Sequence, residues 1–467
     1  MLSGIQFPRS SAAPYGRSSS HGCLRHSGHQ QVEVQTLITP RWLVPVQPMA
    51  VLEGHGVAID NGRITAIVPP DALSSIQAAE RIDLPQHVLM PGLVNTHTHA
   101  AMSLMRGMAD DLPLQTWLEQ HIWPTEARFA SEAFVHDGTQ LAMLEMLRGG
   151  TTCFADMYFF PDAVARAVDA AGLRAVVGMI LIDFPTAWAA DADEYLAKGL
   201  AVQDATRDMP LVSTMFAPHA PYTVSDAPLQ RVRTLSDELD RPVQMHVHET
   251  AFEVQQAQDQ SGSRPLARLD ALGLLKPGFM AVHMTALTDD EIELCGRRGV
   301  SVVHCPESNM KLASGQCRVS DLLAAGVNVA LGTDGAASNN DLDMFGEMRS
   351  AAMLAKLTQG QATAFSAAEA LHAATLGGAR ALGLDHEIGS IEPGKSADLT
   401  AIALDHPATW PVHQPLSQLV YAAGRDQVTD CWIAGQQLLQ AGRVQGMDEQ
   451  QIMERAAQWA ERMQEPA

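Results

Sequence analysis

The chain predicts an α/β fold, a (β/α)8 TIM barrel joined to a small β-sandwich domain built from both chain ends. Three observations lead there. Apolar runs of strand length alternate with helical segments across residues 88–388. Eight such runs can be traced, ending at His99, Asp156, Ile182, His219, His248, Thr285, Glu307 and Gly335. Turn-rich, strand-like texture flanks this region on both sides, over residues 32–87 and 389–445. An open doubly wound sheet is the competing architecture, but no G-x-G-x-x-G opens a helix.

Composition bounds the function before any motif is read. The 467 residues carry a formal net charge of -22, which repels phosphate backbones and argues against nucleic-acid binding. The same charge suits a neutral small-molecule substrate better than a polyanion. Six cysteines are scattered without paired spacing, so they form no disulfide framework and fit a reducing cytoplasm. No apolar stretch approaches membrane-spanning length.

Residues 1–30 hold Arg9, Arg17 and Arg25 but no Asp or Glu, and lack a secretory apolar core. They read as a disordered extension, and His21, His26 and His29 belong with it. Val32 to Ile38 alternates as a half-buried strand should. Asn61-Gly62, between Val57-Ala58-Ile59 and Arg63 to Val68, is a hairpin turn signal. Residues 32–87 therefore read as a small antiparallel sheet. The run Val88-Leu89-Met90, broken by Pro91-Gly92, reads as the first barrel strand with a kink near its end. Beyond Gly389, the segments Ala397 to Ile402 and Val428 to Gly435 return to strand texture and complete the small domain. Ile452, Ala456, Trp459 and Met463 recur at helical spacing and predict a packed amphipathic helix within 446–467.

The candidate chemistry sits where the predicted strands end. His97 and His99 flank Thr98, and alternation puts both imidazoles on one face. Side by side at a strand end, they can bind one divalent ion. His219 closes the fourth run, His246-Val247-His248-Glu249 the fifth, His283 the sixth and Asp334 the eighth. Singly, each has an ordinary explanation as a core histidine or a turn aspartate. Together they place His or Asp at five of eight strand ends, on the face where barrel enzymes work.

This pattern resembles the amidohydrolase superfamily, and within it the 5-methylthioadenosine/S-adenosylhomocysteine deaminase family. The resemblance rests on Pro91 to His99, Ala217 to Tyr222, His246 with Glu249, His283, His304 to Gly315 and Thr333-Asp334-Gly335. It covers nearly everything from Val32 onward. It implies His97, His99, His246 and Asp334 as metal ligands, Glu249 as the proton-shuttling acid, and His283 as a hydrogen-bonding catalytic residue. Asp334 is implied to act catalytically as well as to ligate. Glu126 and His219 match substrate-binding positions, which Glu249 and Asp334 share. Both His246 and His248 satisfy alternation; the family pattern selects His246.

Dinuclear superfamily members bridge their metals with a lysine at the fourth strand, where this chain has His219. One divalent ion, zinc ahead of iron(II) or manganese, is therefore expected. The implied reaction is hydrolytic deamination of 5′-methylthioadenosine and S-adenosylhomocysteine, with adenosine weaker. The alternative is hydrolysis of another aminated or chlorinated heteroaromatic ring, such as guanine or an aminotriazine. The resemblance also implies a homodimer or homotetramer.

Overall fold

The computed structural model describes residues 32–465; the extension expected over 1–30 lies outside them. Two sheets organise the chain. The first strands are β1 (Val32–Leu43), β2 (Leu52–Glu53), β3 (Gly56–Asp60), β4 (Arg63–Val68) and β5 (Ile76–Pro91). Eight follow in the barrel: β6 (Leu93–Thr98), β7 (Thr151–Asp156), β8 (Arg174–Leu181), β9 (Val212–Pro218), β10 (Val243–Val247), β11 (Phe279–His283), β12 (Ser301–His304) and β13 (Asn328–Leu331). The last are β14 (Leu399–Ala403), β15 (Val428–Ile433), β16 (Gln436–Gln440) and β17 (Arg443–Val444).

Strands β6 to β13 lie in sequence order and all pair in parallel. Parallel neighbours need a crossover, and the intervening helices supply it. The circle is nearly closed: β13 meets β6 through single bonds, not a ladder. The Asp334 N–H donates to the His97 carbonyl (3.0 Å), and the Asn95 amide donates to Thr333 Oγ1 (2.8 Å). Glycine is needed at 332 for this approach, because a Cβ there would sit 2.8 Å from the His97 nitrogen. Val94, Cys153, Val176, Met215, Met280, Val303 and Ala330 form one buried cluster drawn from seven barrel strands, which is the barrel's filled interior. Ala379, Leu382 and Ile388 close it at one end.

The expected small β domain is a mixed nine-stranded sheet in the order β17-β16-β15-β14-β5-β1-β3-β4, with β2 on β1. Both chain ends contribute. The Asn61-Gly62 turn joins β3 to β4 as its residue types predict, with φ of 49° and 75°. Two expectations need correction. The N-terminal strands are not simply antiparallel: β1 and β5 run parallel over a long register. β4 already runs with β1, and the short helical turn Pro70–Ser75 carries the chain back so that β5 starts opposite Val32 and runs with β1 again.

The second correction concerns Val88-Leu89-Met90. They belong to β5 of the mixed sheet, not to the first barrel strand. Pro91-Gly92 is the point where the chain passes from one sheet to the other. Gly92 donates to the Asp398 carbonyl (2.9 Å) and Leu93 to the Gly150 carbonyl (3.0 Å). A Cβ on Gly92 would meet Thr152 Oγ1 at 2.0 Å. Beside this junction the Arg174 guanidinium donates to both Asp398 oxygens (2.7 and 3.1 Å) and to Ser396 (3.0 Å), all buried. The predicted C-terminal helix spans Glu449–Gln464 and buries Ile452 and Trp459.

Candidate active site

The site is assembled at the C-terminal ends of the barrel strands, where side chains released from pairing can turn inward. His97 leaves β6 one residue before its end and His99 one residue beyond it. His246 comes from β10, His283 from the end of β11, and Asp334 lies three residues past β13. Ligand-type atoms of His97, His99 and Asp334 lie within 4.8 Å of one another, and so do those of His97, His246 and His283. Asp334 Oδ1 stands 3.4 Å from His97 Nε2 and 3.2 Å from His99 Nε2. His246 Nε2 is 3.2 Å from His97 Nε2. His97 is common to both groups, so the two sets adjoin across its Nε2.

Each ring is aimed from behind. The Gln244 amide donates to the Thr96 carbonyl (2.8 Å), which leaves its oxygen to accept from His97 Nδ1 (2.8 Å). His99 Nδ1 donates to the Met157 carbonyl, His246 Nδ1 to the His219 carbonyl (2.8 Å), and His283 Nδ1 to Asn309 Oδ1 (2.9 Å). With Nδ1 protonated in all four, every Nε2 lone pair is free to face the centre. Asp334 Oδ2 accepts from Ser308 (2.7 Å) and Ser338 (2.9 Å), and Oδ1 from the Gly335 N–H (2.9 Å). Asp334 and His283 both take positive φ, 62° and 75°, a conformation non-glycine residues seldom adopt unless the surroundings impose it.

The electrostatics ask for a cation at the centre. Burial, then the surrounding histidines, holds His246 well below its ordinary value; burial, then His99 and His97, pushes His219 down to about 3. Burial would lower His99 too, but the facing Asp334 outweighs it and lifts the ring to about 9. Burial would raise Asp334, but hydrogen bonds from His97 and His99 hold it well below the usual carboxylate range. A divalent ion set between Asp334 and the rings would displace the proton that His99 otherwise holds, and one carboxylate with imidazole nitrogens is a donor set suited to it.

Glu249 lies just beyond β10, its Oε2 3.9 Å from His283 Nε2. Burial, then Asp334, pushes its carboxyl up to about 8. Its backbone is fixed by Glu253, in the helix Ala251–Ser261. The Glu253 carboxylate accepts from the N–H of Glu249 (2.8 Å) and of His248 (3.2 Å), and Thr250 Oγ1 caps the helix through the Glu253 N–H (3.1 Å). His248 faces away from the centre: its Nε2 accepts from the Leu266 N–H (3.2 Å).

These groups floor a cavity of about 290 Å³. Glu126, from the helix Trp123–Phe129, lines it, and burial pushes its carboxyl up to about 7. His219 lines it from the end of β9, its Nδ1 within 3.0 Å of Thr223 Oγ1. Trp117, Trp123, Met102 and Met157 supply apolar wall. All the residues singled out from the sequence thus meet in one place. Sequence reading overlooked Gln244, Glu253, Ser308 and Asn309. Gln244 had a signal, since it precedes His246 by two residues and so shares its face.

A barrel whose strand ends gather histidines and an aspartate beside a buried glutamate defines a class: hydrolases that activate water at a barrel mouth. Within that class the chain belongs to the amidohydrolase family, whose profile matches residues 88–438. It is 50% identical over 424 residues to a protein of Teredinibacter turnerae named 5-methylthioadenosine/S-adenosylhomocysteine deaminase, covering 90% of this chain and 96% of that one. A protein of Saccharophagus degradans with the same name is 46% identical over 430 residues, covering 92% and 96%. Among solved structures, an adenosine deaminase from Xanthomonas campestris with bound zinc superposes with a TM-score of 0.91 at 56% identity, covering 92% of this chain and 99% of that one. A zinc-complexed atrazine chlorohydrolase from Arthrobacter aurescens shares the fold at 22% identity, with a TM-score of 0.85 and coverage of 91% and 100%.

Proposed function

We propose that this chain is a metal-dependent aminohydrolase that deaminates 5′-methylthioadenosine and S-adenosylhomocysteine, with adenosine weaker, to the inosyl products and ammonia. The observation that carries the reading is the meeting at His97 of two donor groups, one with His99 and Asp334 and one with His246 and His283, beside Glu249 in a largely apolar cavity. Relatives sharing about half of the sequence bear that activity in their names.

His97, His99, His246 and Asp334 are the residues that would hold one divalent ion, zinc by preference. When bound, such an ion supplies a Lewis acid that brings the pKa of water toward about 7. Glu249 takes a proton from the attacking water and delivers it to the purine ring nitrogen, for which a carboxyl raised by burial is suited. His283, its Nδ1 proton committed to Asn309, presents its Nε2 lone pair and accepts a hydrogen bond there as the amine carbon becomes tetrahedral. Glu249 then takes the remaining proton from the hydroxyl on the tetrahedral carbon and passes it to the exocyclic amine, so that the carbonyl forms as the C–N bond breaks and ammonia leaves. Glu126 accepts hydrogen bonds from the ribose hydroxyls, and His219 contacts the nucleoside.

The substrate is a small molecule. Among the described residues no helix is long and apolar enough to cross a membrane. The five cysteines described are free and buried, which suits a reducing cytoplasm. A homo-oligomer is the assembly this reading favours.

The test is ammonia release from zinc-loaded protein against 5′-methylthioadenosine, S-adenosylhomocysteine, adenosine, guanine and a chlorotriazine. The thioether nucleosides should lead. Free guanine as the best substrate, or chloride release from the triazine, would replace this reading with that of another heteroaromatic hydrolase. Elemental analysis should find about one equivalent of metal per chain, since the two donor groups share His97.

A further inference from the structure

Away from the catalytic floor the cavity changes character. Trp117, Leu118 and Ile122 wall it on one side, Ile182, Phe184 and Pro185 on the other. No lysine or arginine lines any part of it among the described residues. Cations next to the lining residues in sequence are held elsewhere. Arg128 donates to the Glu465 carbonyl (2.8 Å) and lies over the Phe129 ring (4.6 Å to its centroid). Lys311 is bound by Asp110 (2.6 Å) and by Asn340. The nearby Lys198 pairs with Glu194 (2.8 Å) and donates to the Trp188 carbonyl. The acids that do line the cavity are Glu126, Glu249 and Asp334.

On the reading that this site deaminates 5′-thioadenosines, we propose that its pocket selects nucleosides whose 5′ sulfur carries a small uncharged alkyl group. It discriminates against those whose sulfur carries a zwitterionic amino acid. A methyl thioether loses little water and gains contact with aromatic and aliphatic walls. An amino acid in the same place brings a carboxylate that is best held by a cationic side chain, and the pocket lining offers none among the described residues. Burying that charge unpaired is costly. Leaving it at the mouth gains little, because the mouth presents Trp123, Phe184 and Tyr222, 36%, 43% and 46% exposed, and no basic group.

Steady-state ammonia release with the two thioether nucleosides tests this directly. We expect kcat/KM at least about tenfold higher for 5′-methylthioadenosine than for S-adenosylhomocysteine. The difference should lie mainly in KM, because the distinguishing group is remote from the reacting carbon. Phe184→Arg places a guanidinium at the mouth and should narrow the gap by raising kcat/KM for S-adenosylhomocysteine. Calorimetric binding of both nucleosides to Glu249→Gln reads the same preference without turnover. Equal kcat/KM and equal Kd for the pair overturn the proposal and leave the deaminase reading standing. Ammonia from neither nucleoside, with tighter binding of the methyl thioether, overturns the deaminase reading and leaves the selectivity standing.

Discussion

Glu249, the proposed proton carrier, depends for its position on a residue four further along. Glu253 accepts from the Glu249 and His248 N–H groups, which would otherwise be buried donors without partners. Replacing Glu249 by Gln keeps the shape and removes the exchangeable proton. Turnover should fall about a hundredfold or more while metal content by elemental analysis stays unchanged; loss of the metal would make Glu249 a ligand instead. Gln244 acts on the metal at one remove, because it fixes the His97 ring through Nδ1. Gln244→Leu should weaken metal affinity by about 10- to 100-fold, measured by competition with a chelator. Glu126→Ala should raise KM for ribosides and leave kcat nearly unchanged. The ligand-type residues were legible in the sequence because histidines and acids two or three positions apart at strand ends have few structural uses. Ser308 and Asn309 were not, because a hydroxyl or an amide has many. Only the fold reveals that one faces Asp334 and the other His283.

At the scale of elements, the strand ends were readable to within a few residues, since a buried parallel strand is a short apolar run with turn chemistry after it. The Asn61-Gly62 hairpin was readable for a different reason: its two positive φ values leave few residue types to choose from. The passage between β5 and β6 was not readable. An apolar strand that changes sheet looks, in sequence, like an apolar strand with a kink, and Pro91-Gly92 serves either purpose. The space around Gly92 decides between them. Gly92→Ala must displace Thr152, whose Oγ1 stands 2.0 Å from the new Cβ. We expect a loss of about 1–3 kcal/mol, read as a lower Tm in calorimetry. The loss should be larger than for alanine at Gly424, where the nearest atom to a new Cβ is Gln427 Oε1 at 3.7 Å. The parallel pairing of β1 with β5 escaped for a related reason. Hairpin signals report antiparallel neighbours only, and nothing local marks a strand that returns on the far side of one already placed.

Across the whole molecule, the barrel and the mixed sheet are locked by Arg174 and Asp398, each less than a tenth exposed. Removing one partner leaves a buried charge alone, so Arg174→Ala should cost about 3–5 kcal/mol in denaturant titration. Its KM for nucleoside should stay unchanged, because the pair lies at the end of the barrel opposite the site. Net charge had already pointed to a small neutral substrate and the scattered cysteines to a reducing setting, and neither bears on shape. The position of β5 between β1 and β14 has a consequence for biosynthesis. On the ribosome, β5 emerges with one edge covered by β1 and the other bare. It stays bare while the entire barrel is made, until Leu399 to Ala403 arrive to pair with Pro91 back to His87. An uncovered apolar strand edge is a template for neighbouring nascent chains. The hazard for this protein is therefore set by how long it remains unfinished. Slowing translation between residues 335 and 398 should lower soluble yield, while the molecules that do complete synthesis melt at the ordinary temperature.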